Sequence, residues 1–470
     1  MAVPVIVHDA VVSSRGATPG VEDLRWFRNR VYGCFTRRAD ALFGLVDAVL
    51  CAPGRVHTVA ELSLAPVFGR GHGSAYAALS RGRIDVEAVQ DAVMAHRRQD
   101  WPLWFALDLS SWARPYAKSS PQRGWVHHSM RHTNGRPFVP GWQYQWLVQL
   151  SGQRDSWTAP LQAVRVPPQA DVATQAGEQI RACVNRLGHT DAPPLFVLDA
   201  GYDPVALSWL LWQQETPGPR ASLLVRLRAD RVFYRHPGPR RPGQRGPTPR
   251  HGARFALTDP GTWGTPDAEH HSVDAHYGHV QVTAWHRLHP ALYGQSAGGR
   301  YQHLPRTPIV EATIIRVHIQ NPPRRNGATH TLWLWHTGQP ADLDTCWRAY
   351  LRRFDIEHTF KYAKTHLGWL APTIRHPEQA DRWTWLILTA LTQLHLAKSH
   401  TAGRRLPWQP HQPAHRLTPA RVRSGFPHLH AIIGTPAQPR KNTRPGPGRP
   451  KGTPRGPAPR HPVIKKPQKR

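Results

Sequence analysis

Acidic residues and cysteine are both scarce in this sequence of 470 residues. It has 30 Asp and Glu against 61 Lys and Arg, a formal net charge of +31, and four cysteines. The cysteines are scattered and form no Cys-x-x-Cys pair, which argues against a zinc ribbon or a disulfide framework and favours a reducing compartment. The histidines are dispersed too. His428 and His430 have no Cys or carboxylate near them in sequence, so no histidine metal site is predicted.

Long apolar runs are also missing. No stretch reaches roughly 18 consecutive apolar residues, so no membrane-spanning helix is predicted. The N-terminus has no basic region followed by an apolar run, so no secretory signal is expected. A pI near 11.2 therefore favours nucleic acid over an anionic membrane as the polyanion that this chain binds. A GC-rich genome would raise the arginine content but would not explain the shortage of acids. We expect a cytoplasmic, nucleoid-associated protein.

Composition changes along the chain, and the changes predict separate segments. In residues 21–98 apolar residues recur at helical spacing, and Thr58 with Glu61 forms a capping-box pattern. Helix, turn and helix with arginines nearby fit a DNA-reading module and a plain helical subdomain equally well. The predicted segments are a disordered N-terminus (1–20), a helical domain (21–98), a first catalytic part (99–230), a β-rich insertion (231–341), a second catalytic part (342–400), a C-terminal extension (401–433) and a disordered basic tail (434–470).

Residues 99–230 contain short apolar strands and helices in an order typical of an α/β layer fold. Three strands, a helix, a strand, a helix and a strand follow one another. Two of the strands are followed by an acid, Asp108 after Trp104–Leu107 and Asp199 after Leu195–Leu198. A carboxylate next to an apolar run is costly unless it faces water or a metal at the strand end. If the two strands are neighbours, both carboxylates offer oxygen ligands of the kind that suits Mg²⁺.

A long helix is predicted over 342–367, and one face of it has an unusual charge pattern. Tyr350, Arg353, Glu357, Lys361 and Lys364 fall within an arc of roughly 80° at about 100° per residue. A solvated helix face would usually intersperse several acids and bases for i,i+4 pairing. Here a single acid stands among three bases, which fits a metal ligand beside residues that grip phosphates.

The spacing Tyr350-x2-Arg353-x3-Glu357-x6-Lys364 resembles the signature of a large group of bacterial insertion-sequence transposases, the cut-and-paste DDE enzymes. The resemblance covers residues 100–400. In that group the first Asp ends the first strand, the second Asp ends the fourth strand, and the Glu lies on a late helix, often after a β-rich insertion. Asp108, Asp199 and Glu357 match that order. The residues after Asp108, Leu-Ser-Ser-Trp-Ala-Arg-Pro, match no motif of the group, whereas the C-terminal end is similar to actinobacterial transposases.

The resemblance implies a fold, a chemistry and partners. The fold would be a ribonuclease-H-like mixed sheet with a β-rich insertion. Asp108, Asp199 and Glu357 would hold two Mg²⁺ ions, with Mn²⁺ as a substitute, for cleavage and transfer of DNA strands. Tyr350, Arg353 and Lys364 would hold phosphates near the cleaved end. The partners would be double-stranded DNA, carrying terminal inverted repeats or the target, and a second copy of the chain.

Further cations are assigned to DNA binding without help from the resemblance. Lys361 shares the helix face of Glu357. Arg226 and Arg228 flank Leu227 on a predicted strand and so project to one side, where they either line a DNA groove or form an exposed strand face. The tail contains Gly448-Arg-Pro-Lys-Gly, which is similar to an AT-hook core that would place Arg449 and Lys451 in a minor groove. We favour the simpler interpretation, a tail that binds nonspecifically by counterion release.

Other functions fit part of the sequence. A non-catalytic DNA-binding or regulatory protein would explain the charge but not the helix face around Glu357. Another ribonuclease-H-like nuclease would explain the acids but is less well matched to the insertion and the Tyr-Arg-Glu-Lys face. An inactivated remnant is disfavoured because all three acids are present.

Overall fold

A computed structural model describes most of the chain. The described ranges are 21–128, 137–212, 221–238, 249–291, 308–320, 330–338, 342–401, 416–440 and 456–465, with single positions at 408, 413 and 452. The AT-hook positions Arg449 and Lys451 and the predicted N-terminal segment 1–20 lie outside them. In these ranges no helix combines the length and apolar character needed to cross a membrane.

The first described segment is helical, as predicted. Its helices are α1 Val21–Gly33, α2 Ala39–Cys51, α3 Val59–Leu62, α4 His72–Arg81 and α5 Val86–Ala95. The predicted capping box is present at the start of α3. The Thr58 hydroxyl accepts a hydrogen bond from the Glu61 amide at 3.0 Å, and the Glu61 carboxylate accepts one from the Thr58 amide at 3.3 Å. These two bonds satisfy backbone donors that the first turn of a helix leaves unpaired.

In residues 99–230 four strands, not the predicted three, precede the first helix, because the short strand Gly124–His127 was not predicted. The later elements of that part follow in the predicted order. The first group is β1 Trp104–Ala113, β2 Gly124–His127, β3 Phe138–Leu150, β4 Thr158–Val166, α6 Val172–Leu187, β5 Leu195–Leu198, α7 Pro204–Trp212 and β6 Ser222–Leu227. The second group is β7 Val232–Arg235, β8 Arg254–Ala256, β9 Ala268–Asp274, β10 Gly278–Pro290, β11 Ala312–Ile319 and β12 His330–His336. The last helices are α8 Leu343–Arg352, α9 Asp355–Thr365, α10 Pro377–Ala397 and α11 Pro419–Ile433.

The strands of the described ranges form one mixed sheet of 12 strands. Its order is β2-β3-β1-β5-β6-β12-β11-β10-β7-β8, with β4 also paired to β3 and β9 also paired to β10. β1, β5 and β6 run parallel to one another, and the other pairs are antiparallel. The mixed α/β architecture with a helical N-terminal region confirms the predicted, ribonuclease-H-like fold class. The strands of the β-rich segment continue the same sheet beyond β6, because β12 returns to pair with β6.

Successive residues of β5 belong alternately to two apolar cores. Phe196 and Leu198 lie in the larger core, and Leu195 and Val197 lie in the smaller one. Since neighbouring side chains of a strand point to opposite faces, the two cores cover opposite faces of the sheet. α8 covers the smaller core with Leu343, Cys346, Trp347, Ala349 and Tyr350.

The larger core joins the N-terminal helices to the sheet. α10 packs against β4 on one side and against α1, α2 and α11 on the other. α2 is buried over almost its whole circumference, from Ala41 to Leu50. Even the charged Asp47 of that stretch is buried, and it is paired with Arg28 of α1 at 2.8 Å. The helical region therefore shares its core with the sheet.

Two sequence expectations about the site elements are wrong. Asp108 does not end its strand, because β1 continues to Ala113 in register with β3. The helix over 342–367 is not continuous either. It divides at Arg353–Phe354, where the Ile356 and Glu357 amides bond to carbonyls three residues back, at Arg353 (3.2 Å) and Phe354 (3.0 Å). Such tightened turns rotate each residue by more than an α-helix does, so the five predicted side chains do not share one straight face.

Gly368 lies where the chain leaves α9 and passes close to the helical region, at Val56. Its φ is +68°, and a Cβ there would lie 2.7 Å from the Val56 carbonyl oxygen. Gly368→Ala should therefore lower the free energy of unfolding by about 2–5 kcal/mol, combining left-handed backbone strain with overpacking. Urea denaturation would measure the loss. Gly69→Ala is the matched control, because Gly69 has φ +58° with nothing near its missing Cβ, and only the strain of about 1–2 kcal/mol is expected. Equal losses in both variants would contradict the proposed clash.

Candidate active site

The parallel pairing of β1 and β5 brings two of the predicted acids to equivalent positions. Ala106 is paired with Val197, so Asp108 and Asp199 each follow two residues later on neighbouring strands. The pairing of Val197 with Leu224 extends the same row to Arg226 on β6. Three charged residues that are far apart in sequence therefore lie side by side across the sheet.

Asp108 is the buried acid of the row. The residue is 8% exposed, its Oδ1 accepts a hydrogen bond from the Leu109 amide at 2.7 Å, and its Oδ2 is paired with Arg353 Nη1 at 3.0 Å. The pKa of Asp108 is raised to about 7; burial is the largest cause, Arg353 lowers the pKa, and the charges of Asp199 and Glu357 add to the rise. The strand register places Asp199 beside Asp108, and Glu357 lies within electrostatic reach of Asp108.

Arg353 joins Asp108 to α8. Its guanidinium lies 5.9 Å from the centre of the Tyr350 ring, and its Nε is buried with no hydrogen-bond partner in the described part of the chain. Burial lowers the pKa of Arg353, but Asp108, Tyr350 and Asp199 raise it overall. Burial raises the pKa of Tyr350, while Arg353 and Arg226 act in the opposite direction. Arg353, Tyr350 and Arg226 therefore form one positively charged wall of the site.

α9 supplies the third acid and another cation. Glu357 is exposed in the first turn of α9. Lys364 lies farther along the helix, with its Nζ 5.8 Å from the Phe360 ring centre and 5.9 Å from that of Trp369. Burial lowers the pKa of Lys364, and the charges of Glu357 and Asp108 oppose that shift. Lys364 thus lies within electrostatic reach of two of the three acids.

The other predicted cations are less closely tied to the acids. Lys361 is exposed on α9. Burial lowers the pKa of His366 most, and the charges of Arg55, Arg423 and Lys361 lower it further. Arg228 is exposed just beyond the last residue of β6. Its carbonyl accepts a hydrogen bond from the Arg231 amide in a turn. The prediction that Arg226 and Arg228 lie on one strand is therefore correct only for Arg226.

Sequence reasoning missed two residues beside the acids. Tyr202 is buried, and its hydroxyl accepts a hydrogen bond from Gln145 Nε2 at 2.8 Å. Burial raises the pKa of Tyr202 well above its ordinary value, and Asp108 and then Asp199 add to the rise. One available signal was Gln145 itself, a polar residue inside the apolar strand β3. Gly201 is the second missed residue, since its amide donates to Asp199 Oδ1 at 2.9 Å and a Cβ there would lie 3.0 Å from the same oxygen.

The donor set suits a hard divalent cation, but it is not closed around one point. Three carboxylates provide the oxygen ligands that Mg²⁺ prefers. Among the described residues, however, no three His, Cys, Asp or Glu side chains are grouped tightly enough to enclose a metal ion. One cause is visible at Asp108, where one oxygen binds the Leu109 amide and the other binds Arg353. The residue types therefore fit the ion, and Arg353 takes the place of a cation at the most buried ligand.

Comparison with known protein families identifies the family of the chain. A family model described as DDE superfamily endonuclease matches residues 30–291, more than half of the chain. The chain belongs to this DDE endonuclease family. The match includes Asp108 and Asp199 and ends before Glu357, so the role of Glu357 depends on the geometry of α9. No curated protein shows significant similarity to the chain.

Membership settles the general chemistry of this DDE endonuclease. Enzymes of the family are nucleases of the transposase type, their substrate is DNA, and they generally use divalent metal ions. A basic chain with three converging acids is what such chemistry requires, because phosphates must be neutralised while the metal ligands stay anionic. The individual roles of the residues stay predictions.

The raised pKa of Asp108 predicts a pH-dependent effect of Asp108→Asn on stability without divalent ions. The pKa is about 7 in the folded protein against 3.8 ordinarily, so the folded state binds more protons in that interval and wild-type stability falls as pH rises through it. Asparagine cannot ionise. Relative to wild type, the variant should gain up to about 4 kcal/mol between pH 4 and pH 8.5, measured by chemical denaturation.

Asp100→Asn is the control of opposite sign. Its hydrogen bond with Arg98 lowers the pKa of Asp100, so ionised Asp100 stabilises the fold above its ordinary pKa and the variant should lose stability relative to wild type as pH rises. A difference between Asp108→Asn and wild type that does not change with pH would contradict the burial argument.

Proposed function

We propose that the chain is the transposase of an insertion sequence. It would bind the ends of the element, cleave the DNA strands there and join them to a target. The observation that carries the proposal is the strand register that places Asp108 and Asp199 side by side, with Glu357 of α9 within electrostatic reach of Asp108. The Tyr350, Arg353 and Lys364 cluster beside them supports transposition over other DNA hydrolysis, because it matches the signature that the sequence suggests.

Asp108, Asp199 and Glu357 would hold two Mg²⁺ ions, for which Mn²⁺ can substitute. When bound, the ions supply an activated water or DNA 3′-hydroxyl and stabilise the leaving 3′-oxygen. Glu357 is exposed on the first turn of α9, directly after the tightened turn at Arg353–Phe354. A small change of that turn would move its carboxylate relative to the sheet.

Arg353 has a double role in this proposal. In the absence of a cation it pairs with Asp108 at 3.0 Å and so offsets a buried negative charge. The Arg353 side chain is 14% exposed, and arginine forms strong charge-assisted bonds with phosphate oxygens, so we assign it contact with a DNA phosphate. Tyr350 and Lys364 flank it and position the same phosphate group, while Arg226 extends the positive wall toward β6.

The reaction needs no covalent protein–DNA intermediate. Water attacks the phosphate at the element's end first, and the freed DNA 3′-hydroxyl then attacks a phosphate of the target. Double-stranded DNA with terminal inverted repeats is the proposed substrate, and two copies of the chain would hold the paired ends. Inverted repeats next to the gene would supply the sequence needed for the assays.

Neutral variants of the three acids test the catalytic assignment. Asp108→Asn, Asp199→Asn and Glu357→Gln should each reduce Mg²⁺-dependent cleavage of element-end DNA to background, because each removes an anionic ligand. DNA affinity should be unchanged or slightly higher. Gel analysis of cleavage and anisotropy of labelled DNA would measure the two quantities. Asp191→Asn and Glu378→Gln, both exposed acids, are matched controls that should cleave normally. Full activity in any of the three site variants would remove that residue from the site.

Strand transfer distinguishes a transposase from another nuclease of the same family. Wild-type protein, Mg²⁺, element-end DNA and a circular target should yield joined products whose ends are the terminal repeats, detected by sequencing the junctions. Pre-cleaved ends should join without a hydrolysis step, since they already carry the 3′-hydroxyl. Cleavage without any joined product would support the alternative nuclease, and binding without cleavage would support the non-catalytic alternative.

A further inference from the structure

An edge hairpin far from the acids exposes large aromatic rings. β2 and the start of β3 pair so that His127 faces Phe138, and their ring centroids are 5.8 Å apart. Trp125 is 47% exposed and Phe138 is 53% exposed. Alternate residues of a strand share a face, as do cross-strand partners, so Trp125, His127 and Phe138 lie together on the outer side. We call these three residues the hairpin face.

The hairpin face is remote from the catalytic row. Asp108 is paired with Trp146 on β3, whereas Phe138 lies at the other end of the same strand. The rise of an extended strand separates these two positions by roughly 25 Å. The exposed rings therefore cannot belong to the site of Asp108, Asp199 and Glu357.

A basic segment from the C-terminal end of the chain lies along the edge of this hairpin. Residues 456–465, which we call the tail strand, form a parallel bridge with β2 at Gly124 and Ile464. The His461 amide donates to the Lys118 carbonyl at 2.9 Å, and the Ile464 amide donates to the Arg123 carbonyl at 2.8 Å. Because backbone groups hold the tail strand in place, its cations are not used for docking. Arg460 and Lys465 are exposed, and the tail strand contains no acid.

The residue that anchors the tail strand adds positive charge beneath it. Arg123 is buried, and its guanidinium donates to the carbonyls of Ser120 (3.0 Å), Arg114 (3.2 Å) and His461 (2.9 Å). Carbonyl oxygens satisfy its donors without neutralising its charge. The aromatic rings of the hairpin face therefore lie beside a surface that is positive on both its exposed and its buried side.

We propose that the hairpin face and the tail strand bind a single-stranded stretch of DNA. Aromatic rings stack on unpaired bases of any sequence, and neighbouring Lys and Arg bind the phosphates between them. A second copy of the chain fits less well, because two chains of net charge +31 repel each other at a basic surface. The proposal uses only the fact that DNA is the substrate of the family, so it is independent of transposition.

Two variants separate the aromatic and ionic parts of this surface. Trp125→Ala with Phe138→Ala should weaken binding of a labelled single-stranded oligonucleotide by roughly 10- to 100-fold, with little effect on the duplex of the same sequence. Arg460→Ser with Lys465→Ser should weaken binding of both and reduce the slope of log affinity against log salt by about 1.4 for the single strand. Anisotropy titrations without divalent ions measure these effects apart from any cleavage.

Matched controls keep the test decisive. Trp26→Ala removes a comparably exposed ring, 54% exposed, from α1. Arg254→Ser with Arg287→Ser removes two cations from the opposite end of the sheet. Both should leave single-strand affinity close to that of wild type. Trp125→Tyr with Phe138→Tyr keeps the stacking surface and should bind like wild type, which separates stacking from any folding defect.

Two results would overturn the proposal. One is wild-type single-strand affinity in the alanine variant with an unchanged melting temperature. The other is a change of sedimentation from dimer to monomer in that variant without a loss of DNA affinity, which would make the hairpin face a contact between two copies of the chain.

Discussion

The parallel register of β1, β5 and β6 is the constraint on which the site depends. It places Asp108 and Asp199 at equivalent positions of adjacent strands, so two like charges are held together by backbone hydrogen bonds that neither side chain can adjust. Burial makes this costly for Asp108, whose pKa rises to about 7. Because the strand register fixes the position of Asp108, the free-energy cost of burying its charge must be offset by neighbouring residues.

Arg353 is the residue that offsets the charge, and its position explains the shape of the α8–α9 region. It lies at the end of α8, which packs on one face of the sheet through Tyr350 and its neighbours. The tightened turn after Arg353 then redirects the chain into α9, which contacts β1, β3 and β4. One short turn therefore lets α8 cover the smaller core while Arg353, the residue after α8, reaches Asp108. It also lets α9 place Glu357 and Lys364 near Asp108. The break in the predicted helix at Arg353–Phe354 therefore places Glu357 and Lys364 on the side of the site that α9 forms.

Local signals in the sequence were sufficient for elements whose ends are set locally. The cap at Thr58, helix α6 and strand β11 all agree with the sequence pattern. The extension of β1 past Asp108 was not predicted because two serines interrupt the apolar run, whereas Ser110 is buried opposite Tyr144 of β3. The pairing of Arg353 with Asp108 joins residues 245 positions apart, and Tyr202 accepts its hydrogen bond from Gln145 of β3. No periodicity in a single segment can predict such contacts, although strand context and helix spacing predict the three acids as candidates.

The incomplete closure of the three carboxylates follows from the same electrostatics. The most buried carboxylate, Asp108, is paired with Arg353, and the most exposed one, Glu357, lies at the surface of α9. Under the proposed function, a divalent ion would supply positive charge to Asp108, and a DNA phosphate would supply the anion that Arg353 then requires. Either one alone would leave a buried charge unpaired. We therefore expect metal and DNA to bind as a coupled event, which would also limit hydrolysis of DNA that is not correctly positioned.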